Sequence, residues 1–154
     1  NLLVMGSVAG AGGGCACGPN SLLKALLAHL VMERNQWVLV DLEAGVEHLG
    51  RGTAEACDGL VVVSEPSRRS LDTAARVASM ARDLGLTRQA LVVNRAPEGI
   101  KLPKIEGLPK LAAAIPRLDS LEEQQLKKTT VFGLREQEAI DGVCAHIVGV
   151  LQKQ

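Results

Sequence analysis

Short apolar runs alternate along the chain with longer stretches in which apolar residues recur every three or four positions. That rhythm predicts an α/β protein with a mostly parallel sheet and crossover helices. Four runs read as strands: Leu2 to Met5, before a glycine-rich loop; Trp37 to Val40, running into Asp41; Leu60 to Val63, leading into Ser64-Glu65-Pro66; and Ala90 to Val93, leading into Asn94-Arg95. Leu71, Ala74, Ala75, Ala78 and Ala81 share one helical face, with Gly85 as a stop, and predict a crossover helix between the last two strands. Ile140, Val143, Cys144, Ile147, Val148 and Leu151 predict a closing amphipathic helix. Leu22 to Val31 predicts another, with Asn20 or Ser21 as its N-cap. Residues 96–118, with prolines at 97, 103, 109 and 116, are harder to read, although Leu111 to Ile115 suits a short last strand before Pro116.

Composition narrows the class. A length of 154 residues with 47% hydrophobic content suits a single domain, 1–154, with a real core. Seventeen basic residues balance seventeen acidic ones, and Trp37 and Phe132 are the only aromatic residues. Neither a charge field nor stacking platforms for nucleic acid are provided, so no nucleic-acid partner is expected. No run approaches the roughly 18 apolar residues of a membrane span, and the expectation is a soluble, cytoplasmic protein without a membrane partner. Asn1 in place of an initiator methionine suggests a processed chain or a fragment. The four cysteines form no regular disulfide framework.

In open parallel sheets ligands bind beyond the carboxyl ends of the strands, so the residues that follow each run carry the chemistry. The loop Gly6-Ser-Val-Ala-Gly-Ala-Gly-Gly-Gly-Cys-Ala-Cys-Gly is glycine-rich, yet it lacks the Gly-Lys-Ser/Thr ending of a Walker A loop, and Cys15 stands where a dinucleotide fingerprint needs its third glycine. What it offers is Cys15-Ala16-Cys17, two thiols able to hold one soft ion; a two-fold dimer would supply the four ligands of a tetrahedral site. An accidental or redox-active pair is the alternative. Asp41 stands where a Walker B acid reaches the magnesium of a nucleotide, although an acid there also caps turns. The acidic loop that follows, with Gly45 as its hinge, could sense a phosphate. Within it Glu47 and His48 suit a structural or switch role better than a shared metal. Arg68 and Arg69 suit a phosphate, a partner carboxylate or a solvated helix start. Asn94 presents the donor and acceptors that the edge of an adenine ring requires, or serves as a turn residue. His29 and His146 are expected to be partly exposed, Cys144 to be core and Cys57 structural.

Taken in order, Gly14-Cys-Ala-Cys-Gly-Pro-Asn20, Asp41-Leu-Glu-Ala-Gly-Val-Glu-His-Leu-Gly-Arg-Gly-Thr53, Val-Ser64-Glu-Pro-Ser-Arg-Arg-Ser70 and Val-Val-Asn94-Arg95 resemble the CooC family. These are nickel-insertion ATPases for carbon monoxide dehydrogenase, related to MinD and ParA, and the likeness runs from Leu2 to about Leu134. The resemblance implies a P-loop NTPase fold. It places metal, zinc or nickel, on Cys15 and Cys17 at a homodimer interface. It makes Asp41 the Walker B acid and the loop from Glu43 through Gly45 to Arg51 the nucleotide switch. It assigns Asn94 to the adenine, helped by the Ile115-Pro116 turn, with Arg95 where lysine is common. ATP or ADP with magnesium would be the cofactor, and carbon monoxide dehydrogenase or a similar nickel enzyme the client. The family's opening strand and lysine-rich P-loop are missing from these residues, so the chain reads as a C-terminal part, with no catalytic residue assigned and no useful ATP hydrolysis expected of it alone. Two other readings are a non-enzymatic, dimeric metal-binding adaptor and a MinD- or ParA-like positioning ATPase.

Overall fold

The computed structural model describes residues 17–29, 36–42, 57–128 and 130–153, which fall into two compact units, Asn1–Cys57 and Asp58–Gln154, each taken by itself below. The expected strand Leu2 to Met5, the glycine loop with Cys15, and Glu43, Gly45, Glu47 and His48 lie outside the described residues.

In the first unit, helix α1 spans Cys17–His29. It starts several residues before the sequence-predicted N-cap, because Pro19 falls in the first turn, where no backbone N–H is needed for the helical ladder. At its other end the His29 ring Nδ1 donates to the Ala25 carbonyl at 2.7 Å. Residues 36–42 form no strand, and the side chains of Trp37, Val38 and Leu39 are exposed. The expected strand Trp37 to Val40 is therefore corrected: an apolar run becomes a strand only where a neighbour satisfies its backbone groups, and no described strand pairs with this one.

The second unit is built on a parallel sheet of three described strands, β1 (Leu60–Ser64), β2 (Gln89–Val93) and β3 (Leu111–Ala114), in the order β1-β2-β3. Leu60 aligns with Gln89 and Ser64 with Val93. Helix α2 (Arg68–Asp83) makes the crossover from β1 to β2. A short helix, α3 (Asp119–Gln125), and the closing helix, α4 (Gln137–Lys153), complete the unit. Strand β2 is buried at all five positions, whereas β1 buries Val62 and Ser64 and exposes Val61 and Val63. The reason is placement: β2 has strands on both sides and helices over it, while among the described residues β1 is paired on one side only and packs on α2.

The predicted crossover helix is confirmed residue by residue. Leu71, Ala74, Ala75, Ala78 and Ala81 are its buried side chains. Ser67 caps its start by accepting the Ser70 N–H at 3.2 Å. Its end is a glycine stop: Gly85 sits at φ +87°, and the Leu86 N–H returns to the Ala81 carbonyl at 2.9 Å. The small alanine face lets α2 lie close on the sheet, so that Ala78, Leu91 and Val93 reach zero or near-zero exposure. Buried Gln89 ties the layers together by donating to the Ala78 carbonyl at 2.9 Å and the Leu86 carbonyl at 2.7 Å.

The proline-rich stretch that sequence patterning left unread is an irregular strap on the core. Ile100, Leu102, Ile105 and Leu108 pack against Val62, Leu71, Leu91 and Val93, and Arg82 fastens the strap by donating to the Gly107 carbonyl at 2.9 Å. Two further differences follow from packing. Helix α3 was not foreseen because it is short, with acids at Asp119 and Glu122 in its first turn but no long apolar stripe. Cys144, expected in the core, is exposed: α4 buries its side chains only partly, and the side that meets β2 and β3 does not include that position.

Candidate functional site

Three loops leave the carboxyl ends of the three strands side by side, and short backbone hydrogen bonds fix them there. The Asn94 N–H donates to the Ser64 carbonyl at 2.8 Å, joining the ends of β2 and β1. The Ile115 N–H donates to the Val93 carbonyl, and the Ala96 N–H donates back to the Ile115 carbonyl, both at 2.8 Å. Ser64-Glu65, Asn94-Arg95 and Ile115-Pro116-Arg117 thus form one rim, at the edge where open parallel sheets take their ligands.

The turn at Asn94-Arg95 is held in an unusual conformation. Arg95 has φ 53°, a left-handed backbone that costs a residue with a Cβ about 1 kcal/mol or more. The Asn94 side chain offsets this by accepting the Arg95 N–H on Oδ1 at 3.0 Å. Strained turns of this kind gather at ligand sites, where geometry is worth the cost.

Charge is organised around Glu122, which α3 delivers to the rim. Its carboxylate accepts from the Arg117 guanidinium at 2.6 Å and lies 3.8 Å from that of Arg95. Arg117 also pairs with Asp119 at 3.3 Å, and Arg95 with Glu65 at 3.8 Å. The hydrogen bond that Arg117 donates to Glu122, followed by the charges of Glu122 and Asp119, strengthens the protonated form of Arg117 beyond its ordinary range. All these groups are solvent-exposed, and such pairs are each worth about 0–1 kcal/mol. They orient side chains more than they hold the fold. Below the rim the Ser120 hydroxyl donates to Glu136, and this bond lowers the Glu136 carboxyl from its usual range.

Of the residues singled out from sequence, Asn94, Arg95 and Pro116 come together on this rim. Asp41 is exposed in the first unit, after a segment that is not a strand. Cys17 is the first residue of α1, while Cys15, Glu43 and Gly45 lie outside the described residues. Arg68 is engaged along α2 with Asp72 at 2.9 Å, so its place at the strand end serves the helix start. His29 and His146 are exposed, as expected. Among the described residues no three His, Cys, Asp or Glu side chains group to hold a metal, and no helix is long and apolar enough to cross a membrane. Sequence reasoning missed Arg117, Asp119 and Glu122. The available signal was a proline closing a strand, followed by a basic residue and by acids two and five positions after Arg117.

The fold and rim define a parallel α/β protein with a polar, charged edge at the carboxyl ends of its described strands. Comparison with known proteins gives the relatives. The chain is 50% identical over 94 residues to the carbon monoxide dehydrogenase accessory protein CooC of Rhodospirillum rubrum, a match covering 61% of this chain and 36% of the relative. It is 44% identical over 94 residues to an uncharacterised ATP-binding protein of Methanocaldococcus jannaschii, covering 61% of this chain and 37% of that protein. It is 32% identical over 147 residues to another ATP-binding protein of the same organism, covering 91% of this chain and 56% of the relative. Over the matched residues the chain is similar to CooC and to these ATP-binding proteins, and it spans between about a third and somewhat over half of the length of these curated relatives. No protein-family model and no solved structure matches it.

Proposed function

We propose that the chain supplies the base-binding side of the nucleotide site in an ATP-dependent accessory factor that inserts nickel into carbon monoxide dehydrogenase or a related metalloenzyme. The observation that carries this reading is the locked convergence of Asn94-Arg95 with Ile115-Pro116 at the carboxyl ends of β2 and β3. Relatives named for ATP binding and for a carbon monoxide dehydrogenase accessory role support it. In this reading 1–154 acts as one domain of the whole protein. Asn94 pairs with the polar edge of adenine, and Arg95 and Pro116 flank it.

When bound, ATP with magnesium supplies the free energy that drives conformational change. This chain's residues select and orient the base and exclude water from one side of it. The side chains present suit that role, with an amide for a planar edge and a proline for a flat apolar contact. The nickel or zinc ion is cargo, taken in this reading by Cys15 and Cys17 of two protomers in a homodimer. Coupling is reciprocal, so a nucleotide that favours the dimer also tightens the metal site.

The test is a titration of the intact protein with magnesium-ADP followed by backbone amide NMR. The reading expects the largest shifts at Asn94, Arg95, Ala96 and Ile115. Saturable binding that leaves these amides unmoved would remove the site from this rim. For the metal, native mass spectra with added zinc or nickel should show a dimer carrying one ion in the wild type and lacking it in Cys15→Ser.

A further inference from the structure

Three carboxylates, Glu65, Asp119 and Glu122, are each paired with an arginine of the rim whose turn carries Asn94. The pairing has a consequence for which base the rim accepts. Guanine presents N1–H and N2–H2 side by side, two donors that a carboxylate takes in parallel. Adenine presents an N6–H2 donor next to a ring-nitrogen acceptor, the complement of a side-chain amide. An amide with a free carboxylate beside it would favour guanine, whereas an amide whose neighbouring carboxylates are occupied favours adenine.

We infer that Arg117 is a specificity-determining residue of the base site: by holding Asp119 and Glu122 it withholds carboxylates from the base, so that adenine is accepted and guanine is disfavoured. The inference rests on the nucleotide reading above and adds to it the residue that sets base preference. Geometry supports Arg117 over Arg95 in this role. Arg117 touches two carboxylates at 2.6 and 3.3 Å, while Arg95 stands 3.8 Å from each of its own. Arg117 also follows Pro116 directly, where the turn out of β3 brings it to the rim beside the loop that carries Asn94. Arg95 bridges Glu65 and Glu122, 3.8 Å from each.

The experiment compares ADP and GDP affinities of the intact protein by calorimetry. Wild type is expected to prefer ADP. Arg117→Ala frees Asp119 and leaves Glu122 only its longer contact with Arg95, and is expected to raise GDP affinity relative to ADP by about three- to ten-fold, the low end of what a paired hydrogen-bond contact discriminates. Restoring neutrality with Asp119→Asn and Glu122→Gln in the Arg117→Ala background should return the ratio to that of wild type, which loss of structure would not do. Arg117→Lys, which keeps the charge but not the two-pronged reach, should fall between. An unchanged ratio in Arg117→Ala, at a matched unfolding midpoint, overturns the inference and leaves the nucleotide reading standing. A wild type that binds neither ADP nor GDP overturns both.

Discussion

Two stretches of nearly the same composition differ in outcome. Residues 89–93 read Gln-Ala-Leu-Val-Val and residues 36–40 read Gln-Trp-Val-Leu-Val, and each runs into a polar residue that sequence reasoning assigned to a ligand. The first is β2, buried throughout, with Leu91 fully covered. The second forms no strand, and Leu39 is 84% exposed. Apolar content is much the same; partners differ. Strand β2 is hydrogen-bonded to β1 and β3 and covered by helices, so its backbone groups and its side chains are satisfied together. Position in a ladder decides whether a polar residue at the end of a run is held in place, and Asn94 is held because Val93 and Ser64 are fixed beneath it.

The contrast gives its largest effect in a pair of truncations. Leu91→Ala should destabilise the protein by about 2–5 kcal/mol, because the site cannot collapse around the cavity. Leu39→Ala should change stability by no more than about 0.5 kcal/mol. Urea unfolding of both variants checks this, and equal losses would mean that the 36–40 run is packed in solution as β2 is.

A smaller effect belongs to the turn that lets α2 hand the chain to β2. Gly85→Ala forces a Cβ into the left-handed region at φ +87° and should cost about 1–2 kcal/mol. No neighbouring atom obstructs the new methyl, so the loss comes from backbone conformation alone. A thermal midpoint unchanged within error would contradict the stop assigned to this residue.

The smallest effect is pH-dependent. The Ser120 hydroxyl lowers the Glu136 carboxyl in the folded state, so this pair stabilises above the ordinary glutamate range, near pH 4.3. That contribution is lost as pH falls through that range toward the lower folded value. The stability gap between wild type and Ser120→Ala should therefore be widest near neutrality and shrink on acidification below about pH 4. A gap independent of pH would mean that the bond does not favour the ionised form.

Much of this molecule was legible in its residues, for reasons that differ by element. The alanine face of α2 announced itself because one side of a helix against a sheet must be small and apolar at helical spacing. The three described strands were visible as β-branched and aliphatic runs closed by turn residues. The strap at 96–110 was not, since its core contacts come from four isolated aliphatic residues with no period to detect. Asn94 could be named in advance because it follows the end of a strand, whereas Pro116 was named only through the family resemblance. Arg117, Asp119 and Glu122 could not, because their pairing depends on how α3 turns back onto the rim. Cys144 fitted the apolar stripe of α4 by spacing, but which part of that stripe meets the sheet depends on how the helix is rotated about its axis, and no spacing rule carries that information.

The proposed function stands or falls on recognition of nucleotide through Asn94 at the end of β2. Magnesium-ADP affinity of the intact protein with Asn94→Ala, measured by calorimetry at an unchanged unfolding midpoint, tests it most directly. The affinity is expected to fall by about five- to thirty-fold, as when a paired amide contact is removed from a bound ligand. An affinity equal to that of wild type would contradict it.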